Sequence, residues 1–249
     1  MKPLEILPVP GVPEVRKGDD LVELTLRALT SSGFVLRDGD VLVVKQKIVS
    51  KAEGRLVRLS SVKPGPLARK IASEQGKDPR IAELILRESN RVVRSGHGVI
   101  ITETKHGYVC ANSGVDRSNV QNGYAALLPK DPDRSARDLR RGIERRTGRQ
   151  VAVVITDTFG RPWRKGQTDV AIGCSGIRPL KSYIGKKDKF GYNLRVTEPA
   201  VVDEIASAAE LVTGKLTGVP LALVRGLDYE KGEGGASTMI MEKDLDLFR

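Results

Sequence analysis

Apolar and polar positions alternate with two different periods along this chain. Residues 3–9 (PLEILPV) read as a strand, and Pro10-Gly11-Val12-Pro13 breaks it with a turn. Asp19 or Asp20 can cap a helix that carries Leu21, Leu24 and Leu29 on one side. Asp38-Gly39-Asp40 turns into the buried strand Val41-Leu42-Val43-Val44, which a short basic segment, KQKIVSKAEGR, follows. Residues 64–89 carry helical spacing interrupted near Gly76 and Pro79, so two helices are expected. Residues 91–112 are expected to form a strand pair turning at His106-Gly107. In 131–148, Asp133 or Ser135 supplies a cap, Ala136, Leu139 and Ile143 a stripe, and Gly148 a stop. Val151 to Ile155 is continuously apolar and reads as a buried strand. Pro199 to Val212 is an amphipathic helix with Val202, Ile205, Ala206, Ala209 and Val212 inward, and Pro220 to Val224 is another buried strand. The elements mix without regular alternation, with no low-complexity linker and no short repeat. The expectation is therefore one α+β domain over 1–249, not a doubly wound sheet.

Composition narrows the chemistry. At 249 residues, with 39% hydrophobic and 29% charged, the chain can bury a core of its own. No apolar run approaches the ~20 residues of a membrane helix. The N-terminus is too Pro-rich, and its apolar part too short, for a secretory signal, so a cytoplasmic protein without a membrane partner is expected. Cys110 and Cys174 are spaced for neither a zinc site nor a redox pair and read as buried thiols. His97 and His106 sit beside glycines, which points to turns. A divalent metal would therefore need oxygen ligands, favouring Mg2+ or Mn2+ over zinc. The net charge of +11 suits nucleic acid or small polyanionic substrates equally. Five Tyr and four Phe, in no RNA-module pattern, argue against nucleic acid as a partner.

Four clusters could carry chemistry. Asp157 and Thr158 follow the 151–155 strand, where a carboxylate beside a hydroxyl can hold a hard cation; the same pair can also cap a turn. Asp116 and Asn119 lie in the polar loop NSGVDRSN, which can bring a second carboxylate to that cation or be an Asx-rich turn. Lys51 lies just past a strand. The tail KGEGGAS, with Gly232, Glu233 and Gly234, can fold its amides round an anion or remain a surface loop; neither segment has P-loop spacing. Arg161, Arg164, Gln167 and Asp169 gather round the single Trp163 next to ITDT, where arginine forks can take a carboxylate or phosphodiester, or the Trp can anchor a loop to the core.

Several stretches are distinctive together: EILPVPGVPEVRKGDDL, DGDVLVVKQKIVSKAEGRLV, GVDRSNV, LLPKDPDRSA, VAVVITDTFGRPWRKGQTDVAIG and VTEPAVVDEIASAAELVTGKLTGVPLALVRG. Through them the chain resembles the coenzyme F-420-0:L-glutamate ligase family over essentially its full length. It is especially similar to the bacterial branch, here without the C-terminal nitroreductase-like domain that branch often carries. The resemblance implies an α+β fold of mixed and antiparallel sheets with flanking helices, and a homodimer. It also implies a GTP-dependent enzyme that adds L-glutamate to the lactyl carboxylate of F-420-0 and then extends a γ-linked chain. Asp116 and Asp157 match the family's metal-binding aspartates and Thr158 a position touching a second metal; two Mg2+ or Mn2+ ions are implied, with K+ as a further cation. Val12, Pro13, Glu14, Val15, Lys51 and Asn119 match GTP-contacting positions, and Asp116, Asp157 and Lys51 form the implied catalytic set. Five residues before that lysine the family often has Ser; this chain has Gln46, a longer side chain that can still donate a hydrogen bond to the nucleotide. A ligase for another phosphorylated carboxylate or amino acid is the alternative, and a non-catalytic basic nucleic-acid-binding module a more distant one.

Overall fold

The computed structural model describes residues 3–247. Its centre is a five-stranded sheet ordered β1-β10-β2-β8-β9, formed by β1 (Glu5–Val9), β2 (Val41–Lys45), β8 (Ala152–Arg161), β9 (Arg164–Ser175) and β10 (Leu221–Arg225). Neighbours are antiparallel except β2 and β8, which run parallel. The central strands are apolar on both faces because both faces are covered. Leu42, Val44, Val153, Ile155 and Leu223 meet α1 (Leu21–Ser31) and α5 (Pro132–Thr147), while Val41, Val43, Val154 and Ala222 meet α6 (Val201–Thr213).

Residues 56–127 build a second core from Leu59, Ile71, Ile81, Leu84, Ile85, Ile100 and Leu127. It joins α3 (Pro66–Gln75), α4 (Pro79–Arg87), the pair β3 (Leu56–Arg58) with β7 (Tyr124–Ala126), and the sheet β4 (Ser89–Gly96), β5 (Val99–Thr104), β6 (Val109–Ala111). The fold is α+β, as the patterning implied, with the mixed and antiparallel sheets that the resemblance implied. No helix among the described residues is long and apolar enough to cross a membrane.

Local departures have identifiable causes. The segment 91–112 belongs to three strands rather than two: beside the turn at His106-Gly107 there is one at His97-Gly98, where successive positive φ angles of 50° and 76° close a tight hairpin. The basic segment after β2 is helical, α2 (Gln46–Ala52), with Ile48 and Val49 in the core. Asp131, not Asp133 or Ser135, caps α5 by accepting the Arg134 amide at 2.9 Å. The 151–155 strand continues through ITDTFGR to Arg161 and folds back as β9, so 160–173 is largely a β-ribbon.

Gly173 shows how closely α5 lies on the sheet. A Cβ there would overlap the carbonyl of Pro132 at the start of α5. Gly173→Ala is expected to cost about 1–3 kcal/mol in urea unfolding; an unchanged midpoint would contradict this contact.

Candidate active site

The parallel pair β2/β8 ends with Lys45 opposite Thr156, and the chemistry-bearing side chains gather beyond these ends. Asp169 on β9 pairs with Thr158 on β8 and is 1% exposed. It accepts Lys45 Nζ at 2.6 Å, Thr158 Oγ1 at 2.6 Å, Thr156 Oγ1 at 3.2 Å and Lys215 Nζ at 3.3 Å. Burial alone would raise its pKa, but Lys45, Thr158 and Lys215 outweigh that and hold it below the usual carboxylate range. Glu210 on α6 binds Lys45 as well, and Lys215 at 3.3 Å.

Asp116 reaches the same region from the second core, its backbone bridged to Ala126. Its carboxylate binds Lys47 Nζ and accepts the Ser118 amide at 2.9 Å. Burial opposes ionisation, yet these partners keep its pKa low. Asp157 behaves differently. Half-buried, its pKa is pushed up to about 7, first by burial and then by the charges of Asp169 and Asp116; the Thr158 amide and Lys47 oppose the rise only in part. Asn119, at φ 52°, donates from its side-chain amide to the Lys215 carbonyl at 3.5 Å.

Asp116, Asp157, Thr158 and Asn119, distant in sequence, are thus brought together. Lys51 lies one turn of α2 from Lys47, on the same face, and its ammonium donates to Glu14 at 2.6 Å. Within 12–15, Val15 is buried and Val12 packs on the first core, leaving Glu14 and the backbone to meet a ligand. Gln46 is buried, its carbonyl oxygen accepting the Ser50 hydroxyl at 2.8 Å, so that part of the side chain is already engaged within α2.

The Gly-rich tail is not brought to the cluster, and the Arg161 group lies on the ribbon that continues from Thr158 and Asp169. In the Gly-rich tail the anion is internal: the Asp133 carboxylate accepts the amides of Ala236 at 2.7 Å and Ser237 at 3.1 Å. Glu233 pairs with Arg140 at 2.9 Å, and the Gly232 and Gly234 backbones pack on Arg178 and Pro179. Lys231 reaches Gln150 at 2.9 Å, which places the tail beside the start of β8, opposite Asp157. Arg161, Arg164 and Gln167 lie on the exposed end of the β8–β9 ribbon, where Arg161 donates to the Lys165 carbonyl at 2.9 Å. Trp163, 87% exposed at φ 62°, does not anchor this segment in the core.

Lys45, Lys47, Glu210 and Lys215 were not singled out from sequence, and Glu210 carried no signal there. Asp169 stood out only as part of the 160–173 cluster, without a role of its own. His106 bonds the Pro129 carbonyl at 2.9 Å. Burial pushes both buried thiols, Cys110 and Cys174, up to about 12.

Asp116, Asp157 and Thr158 offer only oxygen donors, a set that suits a hard cation. Among the described residues no three His, Cys, Asp or Glu form a metal-binding group by themselves. Lys45 pairs with Asp169 and Lys47 with Asp116.

The fold and this cluster define an α+β protein with a lysine-neutralised acidic site at the ends of a parallel strand pair. A family profile described as F420-0:Gamma-glutamyl ligase matches residues 11–226, and the chain belongs to that family. It is 44% identical to the coenzyme F420:L-glutamate ligase of Methanothermobacter thermautotrophicus, over 99% of both chains. It is 47% identical to that of Methanopyrus kandleri, over 99% of this chain and 98% of the other. With the Methanocaldococcus jannaschii protein of the same name it shares 44% identity over 87% of both.

Proposed function

We propose that this chain is a GTP-dependent ligase that adds L-glutamate to the lactyl carboxylate of F-420-0, or a close variant, and then extends a γ-linked chain, acting in the cytoplasm as a homodimer. Family membership and the names of the relatives support the substrates. The observation that carries the reading is the gathering of Asp116, Asp157, Thr158 and Asp169 beyond the β2/β8 ends, where Lys47 pairs with Asp116 and Lys45 and Lys215 pair with Asp169.

Asp116, Asp157 and Thr158 would hold the Mg2+ or Mn2+, with K+ as a further cation; bound there, the divalent ions neutralise phosphate charge. The acceptor carboxylate oxygen attacks the γ-phosphorus of GTP, the bond to the β-phosphate oxygen breaks, and GDP leaves. The glutamate amine then attacks the acyl carbon, phosphate departs with the bonding pair, and the amine loses its proton. Lys51 is suited to the triphosphate once drawn from Glu14, and Val12 to Val15 offer backbone groups. No side-chain nucleophile is required. Mass spectrometry after incubation with F-420-0, glutamate, GTP and Mn2+ should show one and then further glutamyl additions. An unmodified acceptor alongside glutamylation of a different phosphorylated carboxylate would move the chain to that substrate.

A further inference from the structure

The lysines of the cluster are already engaged: Lys45, Lys47, Lys51 and Lys215 each pair with a carboxylate. An acceptor that gains a carboxylate with every cycle needs other cations. These stand on the outer side of the Asp116 loop. A cleft of about 500 Å3 there is lined by Arg58, Arg80, Arg117, Gln121, Asn122 and Tyr124 among others. A smaller hollow of about 310 Å3 shares Arg117, Gln121, Asn122 and Tyr124 with it and extends to Ser118, the residue hydrogen-bonded to Asp116. The antiparallel β3–β7 pair sets Arg58 opposite Tyr124, and the Leu59 amide closes on the Gly123 carbonyl at 2.8 Å.

The arginines are not equivalent. Arg80 is neutralised by Asp78, whose two oxygens it meets at 2.6–3.2 Å. Arg58 and Arg117 have no carboxylate within ion-pair distance among the described residues. Two guanidinium forks without a direct ion pair, Arg117 feeling the Asp78 charge only at longer range, join two amide side chains and a phenol in an oxyanion site of the size that ligand clefts have. The cleft includes none of residues 12–15, 46 or 51, so it is separate from the positions assigned to the nucleotide.

We infer that this cleft seats the oxyanions of the acceptor, through Arg58 and Arg117, and leads them to the Asp116 loop. The inference rests on the ligase reading above. The oxyanions are either the acceptor phosphodiester or the α-carboxylates of its γ-glutamyl tail. Arg58→Gln and Arg117→Gln should each raise the acceptor KM about 10-fold, with the KM values for GTP and glutamate changed less than about 2-fold. A rise shared by F-420-0 and glutamylated acceptors assigns the cleft to the phosphodiester; a rise confined to glutamylated acceptors assigns it to the tail. An unchanged acceptor KM, or an equal rise for GTP, overturns the inference. Should the unaltered protein ligate nothing, the ligase reading itself fails. Calorimetric titration with γ-linked tetraglutamate and with a dialkyl phosphate then decides: binding lost in the double variant supports an oxyanion cleft, and no binding of either probe overturns it.

Discussion

Asp157→Asn will leave the protein folded, raise its melting temperature at about pH 8 and cut ligation by about 10²–10³-fold. Asp157 carries a folded pKa of about 7 against an ordinary value of 3.8. Between those values the folded chain binds more protons than the unfolded one, so this group makes stability fall as pH rises through the window. The carboxylate is therefore a liability to the metal-free fold at neutral pH, and an amide removes it. In a chain of this length each kcal/mol relieved raises the melting temperature by about 2–4 °C. A residue kept only for structure would show the reverse, with stability and activity falling together. Near-normal turnover in the variant would remove Asp157 from the catalytic set.

Asp169→Asn should act in the opposite direction on stability. Its carboxylate is 1% exposed and draws together Lys45, Lys215, Thr156 and Thr158. Removing one member of a buried ion pair costs about 3–5 kcal/mol, or roughly 6–20 °C here. Its folded pKa is lowered, so its contribution is fully present above the ordinary value of 3.8 and is lost as pH falls through the folded pKa. Stability curves of the variant and the unaltered protein should therefore converge in acid. A constant gap across pH would mean that packing, not charge, supplies the difference.

The contrast between these aspartates explains what could be read from the chain and what could not. The strands at 41–45, 152–155 and 221–225 announced themselves because a sheet covered on both faces is continuously apolar. The helices at 21–31, 132–147 and 201–213 carried ordinary spacing and end signals. Helix α2 was hidden because it begins directly at the end of β2 and has only Ile48, Val49 and Ala52 as apolar residues. At the site, Asp116 and Asp157 stood out as acids beside strand ends, whereas their setting did not. Lys47 meets Asp116 across 69 positions, and Lys45 meets Asp169 and Glu210 across 124 and 165. Such pairings come from sheet order, which local pattern does not carry. The Gly-rich tail misled for another reason: its amides do enclose an anion, but the anion is Asp133.

The strand order has a consequence for the making of the protein. β10 lies between β1 and β2, with Glu5 opposite Arg225 and Val9 opposite Leu221. β1 cannot join the sheet until β10 has been synthesised, a wait of roughly 10–40 s at ordinary translation rates. Throughout that interval β2 also lacks its neighbour on that side. The central sheet therefore closes only once β10 has been made, and β1 waits for its partner longest of the five strands.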